Sequence, residues 1–150
     1  LNVINMRFFK PVKITDKLIL SPEIAGRALL HAPDSIPLIY SNFVGGKFDG
    51  HYFPQQIALP GSGGMEILKN VVIKAQADIR YQLTATQYFY TNLNVAVHND
   101  KALKIFKGSY FPGINFGYSY LTVIGPLSVE VGYSGLSKKN HAYVGIGHYF

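Results

Sequence analysis

Along most of this chain, side-chain character alternates every second residue in segments of about ten to fourteen residues. A period of two belongs to strands, whose successive side chains point to opposite faces, and not to helices, which repeat every ~3.6 residues. Leu127, Val129, Val131 and Tyr133 oppose Ser128, Glu130, Gly132 and Ser134. Ile114, Phe116, Tyr118 and Tyr120 oppose Gly113, Asn115, Gly117 and Ser119. The same alternation reads strands at 3–13, 17–30, 70–83, 87–98, 110–122, 126–134 and 141–150. Segments 38–46 and 51–59 read as a further hairpin.

Strands of this length exceed the ~5–6 residues usual in soluble sheets and match the ~9–11 of a membrane-crossing strand. No stretch reaches the ~18 apolar residues of a spanning helix, although 48% of the chain is hydrophobic and only 15% is charged. These features imply an all-β chain, an antiparallel transmembrane β-barrel of about eight strands or part of a larger barrel. A soluble lipid-binding β-barrel is the alternative outside the membrane class.

The polar faces carry Gly, Ser, Asn, Gln and balanced charge rather than dense Lys and Glu. Three acids, Glu23, Asp78 and Glu130, stand against three bases, Arg27, Lys74 and Arg80. Such a set suits a closed polar interior, where an unpaired charge is costly. These six are expected to line the lumen as a paired network, with Leu127, Val129, Val131, Ile146 and Phe150 facing lipid. Short connections at 15–16, 84–86 and 123–126 are expected on the periplasmic side, and the longer 31–68, 99–109 and 135–140 outside. Lys101, Lys104, Lys107, Lys138 and Lys139 would then face lipopolysaccharide phosphates. An odd strand count cannot close a bacterial barrel. Either a strand is missing upstream or 31–68 contributes an irregular one, and the segment is expected to be the C-terminal part of a larger barrel, completed by further strands or a second chain.

The 14 Lys and Arg residues are dispersed, which argues against a nucleic-acid stripe despite a net charge of +6. The chain has no cysteine, and its five histidines show no ligand spacing, so no metal or cofactor is expected. There is also no Gly-x-Ser-x-Gly elbow for a serine nucleophile, and no enzyme activity is expected of these residues.

Residues 42–64 are rich in Gly, Pro and aromatics, and too long for an idle loop. Their order is Phe43-Val44-Gly45-Gly46, then Tyr52-Phe53-Pro54-Gln55-Gln56. Further on come Asp78-Ile79-Arg80-Tyr81, Gly125-Pro126-Leu127 and a terminal Tyr149-Phe150. Over about residues 15–150 this resembles the C-terminal barrel of the bacterial surface antigen superfamily, with its BamA- and TamA-type barrels. It is most similar to the barrel that follows a patatin-like phospholipase domain in Bacteroidetes-type proteins. The resemblance implies an outer-membrane barrel that spans and anchors, with any phospholipase chemistry on an upstream domain. Its rival is an insertion or translocation barrel of the BamA kind. In that superfamily the long loop enters the lumen and carries an Arg-Gly-aromatic motif. Here Phe48-Asp49-Gly50-His51 has Asp in that place, and Asp49-Gly50 reads as a hairpin turn.

Overall fold

A computed structural model describes residues 2–30, 36–50 and 53–147. Its strands are β1 (Asn2–Phe9), β2 (Val12–Lys13), β3 (Leu18–Leu30), β4 (Asn42–Gly45), β5 (Met65–Leu68), β6 (Val71–Thr84), β7 (Gln87–Asn99), β8 (Ser109–Thr122), β9 (Gly125–Ser134) and β10 (Lys139–Ile146). Eight of them form one antiparallel sheet in the order β1-β3-β6-β7-β8-β9-β10, with β2 also on β3. The ladder runs from Phe9 opposite Glu23 to Val12 opposite Leu20 without a change of register. Pro11, which has no N–H to donate, falls in the gap between β1 and β2. β1 and β2 are thus one interrupted strand, and the sheet is seven strands wide.

A 14-residue strand such as β6, tilted by ~45° at ~3.3 Å per residue, covers a ~30 Å hydrocarbon layer. Short turns join β6 to β7 and β8 to β9. The turn into β3 is held by the Leu18 amide donating to Thr15 Oγ1 at 3.1 Å.

β1 and β10 each have a neighbour on one side only among the described residues, so the sheet is not closed. This agrees with the odd strand count. An unpaired edge leaves N–H and C=O groups open, at several kcal/mol each in lipid.

Register separates the faces. Arg7, Ala25 and Lys74 lie in one row on the inner side, and Ile4, Ala28 and Val71 in another on the outer side. Outer side chains such as Phe8, Ile24, Leu93, Phe116, Val129 and Val144 are exposed although apolar. A continuous exposed apolar face on every long strand is what a membrane, not water, accommodates.

The expected hairpin of 38–46 with 51–59 is not formed. Leu38–Tyr40 is a 3-10 turn, and β4 pairs with β5 instead. Ile57 meets Val44 only as an isolated parallel bridge. Gly45 and Gly46 both take positive φ, 126° and 77°, which ends the extended run. Residues 42–50 and 53–64 then lie across the inner face. Val44, Ile57 and Leu59 pack there on Val72, Ala96 and Leu136, a small apolar cluster under the outer end of the loop.

Candidate functional site

The site is the seam between the loop and the polar wall. Its centre is Lys74, fully buried on β6. Lys74 Nζ lies 2.9 Å from Glu23 Oε1 and 3.8 Å from Asp49 Oδ1. Arg7 closes the cluster, with one guanidinium nitrogen 3.1 Å from Glu23 Oε2 and 3.0 Å from Asp49 Oδ2. Two cations and two carboxylates thus neutralise each other: Lys74 and Glu23 are buried as a pair, and half-exposed Arg7 and part-exposed Asp49 close the cluster from the loop side. Asp49 also accepts the Ala58 amide at 2.6 Å, which fixes the loop's own bend.

A second tether lies on the far side of the wall. Loop residue Lys47 reaches buried Glu130 of β9 at 3.0 Å. Tyr90 of β7 donates its hydroxyl to the same carboxylate at 2.7 Å. Tyr90 opposes Gly117, which in turn opposes Glu130, so the ring bridges three strands. A Cβ on Gly117 would sit 2.1 Å from that ring, so only glycine leaves the path clear.

Side-chain amides and backbone close approach complete the seam. Asn94 donates to the Pro60 carbonyl at 2.9 Å, and Tyr143 to the Ser62 carbonyl at 2.9 Å. Gly61, at φ 92°, lies against Gly132, where an added Cβ would come within 2.7 Å of the Gly61 Cα. Below the loop a polar cavity of about 470 Å³ remains, lined by Arg7, Lys74, Asp78, Arg80 and Glu130 among others.

The six residues expected in the lumen all fall on the loop side of the wall, but they do not pair as one network. Only Glu23 and Lys74 meet as an ion pair. Asp78 accepts from Gln76 at 2.7 Å and from Asn92, both amides. Arg27 donates to the Ser41 carbonyl at 3.4 Å, and Arg80 is exposed at the short-turn end. The partners that matter came from elsewhere. Arg7 was legible as the lone cation opposite Ile4, Met6 and Phe8, whereas nothing in the pattern marked Lys47.

The hairpin reading of Asp49-Gly50 is corrected by the same geometry. Gly50 does turn the chain at φ 68°, but the paired strands on either side of it, β4 and β5, end at Gly45 and resume only at Met65, so it is not a two-residue hairpin turn. Asp49 points at the wall cations, because two positive charges and the Ala58 amide converge on it.

Leu127, Val129, Val131 and Ile146 are exposed on the outer face, and Phe150 lies outside the described residues. Lys101, Lys104, Lys107, Lys138 and Lys139 are all exposed on the connections opposite the short turns. Ser62 Oγ donates to the Gly64 carbonyl, a bond that closes a turn. Among the described residues, no three His, Asp or Glu side chains gather as metal ligands.

No curated protein matches the chain. The family model of the OMP85 superfamily matches residues 12–150, nearly the whole of the sequence, and the chain therefore belongs to the OMP85 superfamily of outer-membrane β-barrel proteins.

Proposed function

We propose that this segment is the plugged wall of an anchoring barrel: it spans the outer membrane and holds its loop 42–64 as a fixed stopper. The observation that supports this reading is the pair of tethers on opposite sides of the loop. Asp49 is gripped by Arg7 and Lys74, and Lys47 grips Glu130. A loop drawn from one short stretch to opposite parts of the wall, with glycine against glycine beneath it, is suited to blocking a lumen and not to opening one. The barrel is completed by further strands or a second chain on the open edges of β1 and β10.

The finer reading is that the barrel anchors a patatin-like phospholipase domain, whose nucleophile and base lie on another segment. Its support is the order of motifs from Phe43 to the terminal Tyr149-Phe150. Asp49, standing where insertion barrels of the BamA kind carry arginine, speaks against the rival.

The test is conductance of the full-length protein in planar bilayers. The parent is expected to be electrically quiet. The double variant Lys47→Gln with Asp49→Asn is expected to show frequent open steps. Steady conductance from the parent, or a variant as quiet as the parent, would overturn the stopper. Sequencing upstream of residue 1 tests the finer reading: a Gly-x-Ser-x-Gly domain supports it, and periplasmic repeats instead would support the insertion rival.

A further inference from the structure

The connection between β7 and β8 does not stand away from the barrel. Residues 102–107 form a 3-10 segment whose Ile105 is buried against Val71 and Val97, with Ala28 and Ile73 beside it. Those four belong to the outer, lipid-facing rows of β3, β6 and β7. The loop is thus folded outward over the rim of the apolar face.

It is also built to stay there. Asn99 donates its amide to the Lys104 carbonyl at 2.7 Å, and Tyr110 its hydroxyl to the Phe106 carbonyl at 2.6 Å. At Gly108 the chain passes so close to the His98 carbonyl that an added Cβ would sit 1.9 Å from it.

What this flap presents is unlike an ordinary aqueous loop. Leu103 is fully exposed and Phe106 is 77% exposed, while Lys101, Lys104 and Lys107 are exposed around them. Two bare apolar side chains flanked by three cations, at the upper edge of a lipid-facing wall, match the boundary between acyl chains and phosphate headgroups. The acidic side chain near the flap, Asp100, is ion-paired with Lys69 at 2.6 Å and leaves the three lysines to other anions.

We propose that residues 101–107 are a lipid-docking flap: Leu103 and Phe106 enter the outer leaflet beside the barrel, and Lys101, Lys104 and Lys107 bind phosphates of the surrounding lipid. Charge complementarity and continuity with the apolar belt select lipid over a protein partner. The proposal rests on the reading of the outer face as lipid-facing, which a belt control tests separately.

The experiment uses the full-length protein in phosphatidylcholine vesicles with or without lipid A. Single Phe106→Cys, Val129→Cys and Ser137→Cys variants carry a nitroxide label, with the parent protein as blank. Collision rates with oxygen and with a water-soluble nickel complex report depth. The label at position 106 is expected to favour oxygen several-fold over the one at 137, and to deepen when lipid A is added. Exchanging Lys101, Lys104 and Lys107 for Gln is expected to abolish that deepening, at roughly five-fold in docked population per lysine. A label at 106 as water-exposed as that at 137, while the one at 129 is deep, would overturn the flap alone. A lipid A response unchanged in the triple variant would also overturn it. A label at 129 that is itself water-exposed would overturn the spanning reading.

Discussion

Two long connections leave the same end of the wall and go opposite ways. Residues 42–50 and 53–64 fold inward onto the polar face, and residues 101–107 fold outward onto the apolar one. The inward loop carries Lys47 and Asp49, and the wall beneath it offers Glu130, Arg7 and Lys74. The outward loop carries Ile105, and the wall beneath it offers Val71 and Val97. Each loop settles where its own chemistry is matched. The two cases differ in what holds them. Buried ion pairs are sensitive to any single loss, because the remaining charge is left desolvated. Apolar contact degrades in proportion to the area removed.

The sharpest way to break the comparison is at Lys74. Lys74→Met leaves Glu23 with Arg7 alone and removes one of the two cations on Asp49. Breaking a buried pair from one side costs about 3–5 kcal/mol. Urea unfolding of the full-length protein in vesicles should show a loss in that range. A change under about 1 kcal/mol would mean that water reaches the cluster and that the inner face is not closed by its loop. The outer face answers to a different insult. Val129→Arg puts a charge in the lipid belt, and about 2–4 kcal/mol is expected if the site lies near the midplane. The same substitution in a water-facing sheet would be almost silent.

Much of this architecture is legible in the sequence, and the reason is local. On a strand, face is decided by parity, so Glu23, Lys74 and Glu130 could be put on the inner side and Val129 on the outer without knowing any partner. Strand limits followed as well: 126–134 against Gly125–Ser134, and 70–83 against Val71–Thr84. Pairing across the lumen is not local. The distance between Lys47 and Glu130 depends on how the loop crosses seven strands, which no spacing encodes. The hairpin expected in 38–59 failed for a related reason. Phe43, Val44 and Ile57 look like strand residues, but β4 takes β5 as its partner, and Ile57 meets Val44 only at an isolated bridge while both pack on Val72 and Ala96.

Two glycines test whether inside and outside differ in tightness as well as in polarity. Gly132 faces the loop, and an added Cβ there meets the Gly61 backbone at 2.7 Å. Gly26 faces outward, and its nearest neighbours would be Val72 O at 3.4 Å and an Ile73 side-chain carbon at 3.5 Å. Gly132→Ala should therefore cost about 1–3 kcal/mol as overpacking, with the loop pushed off. Gly26→Ala should be tolerated within about 1 kcal/mol. Equal effects at the two positions, read by the same unfolding assay, would show that the loop is not pressed on the wall.

The finest distinction separates ring from hydroxyl at Tyr90. The ring covers Gly117 and bridges β7 to β9, so its removal would lose packing as well as polarity. Tyr90→Phe keeps the ring and removes only the donor to Glu130. Glu130 stays buried and keeps Lys47 at 3.0 Å, so its charge is still compensated. The loss should be that of one charge-assisted hydrogen bond, about 1.5–3 kcal/mol at most and toward the lower figure because a partner remains. Combining it with Lys47→Gln strips Glu130 of both contacts. The double variant should then lose more than the sum of the single ones, since a buried carboxylate with no partner carries its full desolvation cost. Additive losses would mean that Glu130 is reached by water from the cavity below, and that the second tether is weaker than the cluster around Lys74.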